Sequence, residues 1–216
     1  MILELSSWTC EGHYFLLSFE TFFKFLESEI NNILKKLDIT KAVGYDTIPA
    51  KFLRDAADVL TKPLTELINK CIIESTFPSK AKTAYILPFF KKLERSDKKN
   101  YRPVSVLSSL SKVFEIVLKR QINGYSNEFL SPNVSAYRER YSTQHVLIRL
   151  IEEYRKNLGN KKVVGGILMD LSKAFDCISH DLIIAKLKAY GFQNDSLQMI
   201  YSYLKGTLWS KKKIRQ

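Results

Sequence analysis

The chain is 216 residues long and 45% hydrophobic, and its 34 Lys and Arg against 22 Asp and Glu leave a net charge of +12. That composition excludes a disordered or fibrous chain and supplies one substantial core or two small ones, while the cationic excess favours a polyanionic partner, nucleic acid ahead of an anionic membrane surface. No apolar run approaches the roughly 18 residues that a membrane-spanning helix needs, and Glu4 and Glu11 stand where a signal peptide is basic, so a soluble, intracellular protein is expected.

Phe19, Phe22, Phe23, Leu26, Ile30, Ile33, Leu34 and Leu37 recur at helical spacing and predict an amphipathic helix from about Phe19 to Leu37. Gly44 to Thr47 break the pattern, and Pro49 suits a first helical position ahead of Phe52, Leu53, Ala56 and Leu60. Pro63 is expected to open another helix in the same way, with Leu64, Leu67, Ile68, Cys71 and Ile72 on one face. The character then changes: Ala84 to Phe90 (AYILPFF) and Tyr101 to Leu107 (YRPVSVL) are aromatic and β-branched and bracket the polar run KKLERSDKKN. An antiparallel hairpin with a mobile ten-residue loop is predicted. Pro88 and Pro103 each lack a donor, which argues for short, bulged or edge strands.

Leu110, Val113, Phe114, Val117, Leu118 and Ile122 mark a helix from near Ser109, and after a loop at Ser131 and Pro132 another starts at the N-cap candidate Ser142. Val163 to Asp170 reads as a buried strand. A helix from about Ser179 to Tyr190, stopped by Gly191, and a last helix from near Asn194 complete the order. Cys10, Cys71 and Cys177 have no CxxC or Cys/His metal spacing and read as reduced thiols packed as small hydrophobes.

Two places carry chemistry. Asp170 ends an apolar run, and an ionised carboxylate buried without a partner costs several kcal/mol, so it is expected to face an open site, a cation or a helix N-terminus. The hairpin loop carries Lys91, Lys92, Arg95, Lys98 and Lys99 against Glu94 and Asp97, and Arg102 follows in the second strand. Such a loop suits closure over a triphosphate through charge-assisted contacts; a solvated basic loop is the plainer reading of the charge alone. Asp176, His180 and Asp181 form a loose N/O set around a helix start, for which a mononuclear metal site is the sharp reading and helix capping the plain one.

The segments ITKAVGYDTIPAKFL, NYRPVSVLSSLSKVFE, VSAYRERYSTQHVL and GGILMDLSKAFDCISHDLIIAKLKAYGF occur in the order and at about the spacings of LINE-type reverse transcriptases, and the chain resembles the reverse transcriptase domain of a non-LTR, jockey-like retrotransposon over about three quarters of its length. The resemblance implies an α+β fold: a helix-rich partial right-hand polymerase of fingers plus the first part of the palm, with an incomplete palm sheet and no thumb. It divides the chain into an N-terminal extension (1–38), a fingers-like region (39–160), a partial palm with the first catalytic motif (161–205) and a divergent basic tail (206–216). By the same resemblance Asp170 is the first catalytic, metal-binding acid, with the Leu171 carbonyl a further ligand for Mg²⁺ or Mn²⁺. Arg102, assisted by Lys91 or Lys92, grips the incoming triphosphate, along which Lys173 and the Ala174 amide lie. Phe175 corresponds to a bulky gate beneath the sugar, and as plainly to a core phenylalanine. Arg138 corresponds to a template or nucleotide contact, with a structural ion pair as its plain reading. RNA template, DNA primer and dNTPs are the implied partners, and no residue pattern sets an oligomeric state.

The family carries its later acids in a Tyr-x-Asp-Asp hairpin, and no such tetrad occurs in these residues. One carboxylate does not hold two divalent ions in the geometry of a two-metal displacement, so the chain alone is expected to lack polymerase activity. Three readings follow: an inactive polymerase fragment, a non-catalytic basic RNA- or DNA-binding module, and a non-functional product of a decayed element.

Overall fold

The computed structural model of the chain describes residues 18–128, 130–131, 133–138, 140–170, 177–206 and, for the backbone, 209–211. They fall into two compact units, one of residues 18–122 with those from Ser179 onward, the other of residues 123–178. In the first unit lie α1 (Glu27–Lys35), α2 (Ala50–Asp55), α3 (Ala57–Ile73), β1 (Ala84–Phe90), β2 (Tyr101–Leu107), the greater part of α4 (Ser109–Ser126), α6 (His180–Ala189), α7 (Asn194–Leu204) and β3 (Trp209–Lys211); α5 (Thr143–Gly159) belongs to the second. The fold is mixed helix and sheet, with strand order β2-β1-β3.

The core of the first unit gathers Ile30 and Leu34 of α1, Ile68 of α3, Phe114 of α4, Phe77 and Phe192, all buried. Each such side chain contributes about 1.5–3 kcal/mol by leaving water. Phe77 stacks edge-on against Phe114 at 5.6 Å and against Tyr203 at 4.9 Å. The Tyr203 hydroxyl donates to Glu115 at 2.7 Å, and burial together with that carboxylate holds the phenol well above its ordinary pKa.

The predicted helix over Phe19 to Leu37 is only half present. Residues 18–26 are not helical, and α1 begins at Glu27, where the Glu29 carboxylate accepts from the Leu26 N–H at 2.9 Å. Pro63 also departs from expectation, because it lies inside α3 rather than opening a helix. The break between α2 and α3 falls at Ala56 instead. Pro63 removes the bond to the Val59 carbonyl, but both residues are exposed, so water satisfies the orphaned oxygen.

The hairpin occupies the predicted residues, with an unbroken register from Ala84↔Leu107 to Phe90↔Tyr101 and Pro88 directly opposite Pro103. Lys91 N–H donates to the Asn100 carbonyl at 2.8 Å, so the antiparallel alternation makes 88/103 a non-hydrogen-bonded pair. Both proline nitrogens therefore point away from the partner strand, and no bulge is needed. Among the described residues β3 pairs parallel with Ala84 to Ile86, short of Pro88.

In the second unit the expected strand from Val163 to Asp170 is not formed. Residues 162–170 carry no regular structure, and Val163 and Leu168 are 99% and 101% exposed. Among the described residues no strand pairs with them, and a lone strand leaves its backbone polar groups to water, which satisfies them equally well in irregular chain. No residue of α5 is buried. Among the described residues, no helix is long and apolar enough to cross a membrane.

Candidate functional site

The first element of the candidate site is the β1–β2 hairpin, and its root is anchored. The Lys82 ammonium, its pKa lowered by burial, donates to the Ser202 carbonyl and, at 3.0 Å, to the Lys205 carbonyl, closing the C-terminal end of α7. Phe77 N–H donates to Ser202 Oγ at 3.0 Å. These contacts fix where β1 leaves the core.

Alternation along the strands sorts the hairpin into two faces. Arg102 lies opposite Phe89 on one face; both are exposed. On the other, Ile86, Pro88, Tyr101 and Pro103, with Lys98 from the loop, line a shallow cavity of about 540 Å³. The loop closes on its own bonds. The Asp97 carboxylate accepts from Lys99 N–H at 2.9 Å, the Asn100 side chain donates to the Glu94 carbonyl at 2.8 Å, and the Tyr101 hydroxyl donates to the Arg95 carbonyl at 2.9 Å. The Arg95 guanidinium lies over the Phe90 ring at 5.3 Å, and that ring stacks edge-on against Tyr101 at 5.5 Å. The Asp97 carboxylate is therefore engaged by the loop's own turn. Among the described residues, none of Lys91, Lys92, Lys98, Lys99 and Arg102 is ion-paired to a carboxylate. The arrangement presents several uncompensated cations beside aromatic and apolar surface, a combination suited to phosphate oxygens and base or sugar faces. The sequence marked the cations but not the Arg95–Phe90–Tyr101 stack, whose signal is the aromatic residue at each end of the loop.

Asp170 and Arg138 belong to the second unit. Asp170 is exposed and follows irregular chain, not the end of a buried strand, so no desolvation cost has to be met. Arg138 donates to the Ser131 and Val134 carbonyls at 3.1 and 3.4 Å and lies over the Tyr141 ring at 5.3 Å. Among the described residues it holds its own loop through carbonyls and not through an ion pair. Leu171, Lys173, Ala174, Phe175 and Asp176 lie outside the described residues. Among the described residues no three His, Cys, Asp or Glu side chains gather as a metal site, and His180 and Asp181 join no such group. Asp170 alone offers too few donors for two divalent cations. Ser179 caps α6, accepting from Leu182 N–H. Of the thiols, Cys71 is buried and Cys177 exposed, both free; burial pushes the Cys71 thiol up.

A family model described as reverse transcriptase (RNA-dependent DNA polymerase) matches residues 90–216, which include the hairpin loop, Arg102, Arg138 and Asp170. The chain is 30% identical over 164 residues to the probable RNA-directed DNA polymerase from transposon BS of Drosophila melanogaster, an alignment covering 74% of this chain and 18% of that protein. It is 28% identical over 163 residues to the RNA-directed DNA polymerase from mobile element jockey of the same organism, with the same coverage. To the retrovirus-related Pol polyprotein from type-1 retrotransposable element R1 of Bradysia coprophila it is 28% identical over 176 residues, 80% of this chain and 17% of the relative. The chain thus spans about a fifth of the length of the curated relatives it matches.

Proposed function

The chain belongs to the reverse transcriptase (RNA-dependent DNA polymerase) family, and we propose that it is the fingers and first palm segment of a jockey-like, non-LTR retrotransposon polymerase, with RNA template, DNA primer and dNTPs as its ligands. The observation that carries this reading is the hairpin: five loop cations, with the Asp97 carboxylate engaged by the loop's own turn, and an exposed Arg102 in register with Phe89. In this reading Arg102 and Lys91 or Lys92 hold the triphosphate through charge-assisted bonds, and the aromatic stack at the strand ends keeps the loop from folding back on its own cations. Lys173 and the Ala174 amide follow the phosphates, Phe175 packs beneath the sugar, and Arg138 braces a loop beside the nucleic acid. Reverse transcriptases use divalent cations, which stabilise the leaving pyrophosphate. Asp170 and the Leu171 carbonyl supply part of such a site and not the whole of it, so this chain alone does not extend a primer.

A second reading, a basic RNA- or DNA-binding module without catalysis, is favoured by the unpaired loop cations and the net charge of +12. One pair of measurements separates the two. Single-stranded RNA binding is expected to weaken linearly in log–log salt plots, and replacing Lys91, Lys92 and Arg102 together by Glu should lower that slope by about 2; an unchanged slope would remove the hairpin from both readings. Primer extension with Mg²⁺ or Mn²⁺ should not exceed an Asp170→Ala control, and extension that depends on Asp170 would show a complete active site. Binding of dNTP that the triple replacement abolishes separates the polymerase segment from the module.

A further inference from the structure

Apart from the hairpin, the first unit holds a second concave surface, a cavity of about 370 Å³ between the end of α1, the loop that follows it and α4. Its floor is aliphatic: Leu37 and Ala50 are buried, and Ile116 is half-buried. The α4 residues that line it run from Ser109 to Lys119, about 15 Å of helix. Four lysines surround the floor, Lys36 and Lys41 from the α1 side and Lys112 and Lys119 from one face of α4, against two acids, Asp38 and Glu115. Each acid already has an internal donor. Asp38 Oδ1 accepts from the Thr40 N–H and hydroxyl at 2.9 and 2.6 Å, and Glu115 Oε1 accepts from the Tyr203 hydroxyl at 2.7 Å. Lys41 lies 3.6 Å from Asp38, and Lys112 donates to the Ala42 carbonyl at 3.3 Å. Lys36 and Lys119 are exposed and, among the described residues, ion-paired to no carboxylate.

The wall opposite α4 is held in place. The Tyr45 hydroxyl donates to the Lys80 carbonyl at 2.7 Å, Ser109 Oγ donates to the Ile48 carbonyl at 3.3 Å, and Gly44 packs against the Ser108 backbone. That loop still leaves Ile39, Val43 and Ile48 exposed. A preformed groove of this kind selects its occupant by two features at once, apolar side chains for the floor and carboxylates for the rim. Nucleic acid meets only the second, since no aromatic residue lines the cavity to stack a base. A bilayer surface reaches the rim but not a recessed floor. An amphipathic segment rich in Asp and Glu meets both. We propose that the α1–α4 groove docks an acidic amphipathic peptide of a protein partner, as a binding surface separate from the cationic hairpin.

The test uses the full chain and a fluorescent peptide of about three helical turns, with Leu at helical i, i+3, i+4 spacing and Glu elsewhere. Lys36→Glu together with Lys119→Glu should weaken binding about tenfold or more, whereas Lys91→Glu with Lys92→Glu in the hairpin should leave it within about twofold. Replacing the peptide's Leu by Ser should also weaken it about tenfold or more. Equal binding of the Leu and Ser peptides, or an equal loss from the two pairs of substitutions, would mean bulk charge attraction and overturn the groove. Carbodiimide coupling, which joins a carboxylate to an amine in contact with it, puts the same question to the unsubstituted chain and decides it if the groove variant does not fold. Products at Lys36, Lys41, Lys112 or Lys119 support the docking site; products confined to other lysines, or none, overturn it. Single-stranded RNA is the rival occupant. Excess RNA should leave the peptide bound to a chain carrying Lys91→Glu, Lys92→Glu and Arg102→Glu, and displacement there would make the groove a nucleic-acid surface and remove the peptide.

Discussion

Helices α4 and α5 are 18 and 17 residues long, and both carry an apolar face at helical spacing. In α4 that face is core, with Phe114 only 2% exposed and packed on Phe77. In α5 the equivalent face is open, with Leu147 57% exposed and Val146, Leu150 and Ile151 also exposed. Hydrophobic periodicity states which side of a helix prefers to leave water; whether it does so depends on a partner surface that the helix itself does not encode. The apolar run Val163 to Met169 makes the same point in irregular chain.

Four measurements sharpen or break this contrast. Phe114→Ala should cost about 3–5 kcal/mol in urea denaturation, since it leaves a cavity beside Phe77; a cost below about 1 kcal/mol would mean that the first unit's core is not what holds it. Gly44→Ala comes next. A β-carbon there would fall 2.5 Å from Ser108 Cα and 2.6 Å from its nitrogen, so backbone would have to move, at about 1–3 kcal/mol.

Tyr203→Phe is expected to lose about 1 kcal/mol at neutral pH, the value of one hydrogen bond, and to change the pH profile. The folded state holds the Tyr203 proton more tightly than the unfolded chain does. Its stabilisation is therefore complete below the ordinary phenol pKa of about 10 and is lost as pH rises beyond it. Stability measured from pH 8 to 11 should fall less steeply for the phenylalanine variant. Smallest of all, Leu147→Ala and Ile151→Ala should each stay within about 0.5 kcal/mol, as surface substitutions do. A loss comparable to that of Phe114→Ala would show the α5 face to be covered in solution and would erase the contrast.

Much of the local structure was legible. Both strands of the hairpin, the N-cap Ser142, the stop at Gly191 and the start of α7 near Asn194 follow from aromatic and β-branched runs, capping residues and a glycine whose φ is +89°. The non-helical course of residues 18–26 was not legible, for a specific reason. The doublets Phe22-Phe23 and Phe25-Leu26 satisfy a 3.6-residue and a 3-residue repeat together, so seven residues do not separate helix from non-helical chain. Asn69 and Gln121, 44 and 98 residues away from the backbone they bond, decide between the two. The proline pair in the hairpin was legible in part: two missing donors argued for short, bulged or edge strands, and among the described residues β2 is an edge strand, but only the register shows that both nitrogens point off the β1–β2 ladder.

The cations of the candidate site were marked by the sequence alone, as was the single acid of the first motif, because charge and motif order do not depend on folding. The division of the hairpin into an Arg102 face and a Tyr101 face, and the turning of Asp97 into its own loop, came only from the tertiary structure. The physical reason is the same in each case. Residue type determines what a group prefers energetically, and only the neighbours brought from elsewhere in the chain determine whether that preference is met by protein or by water.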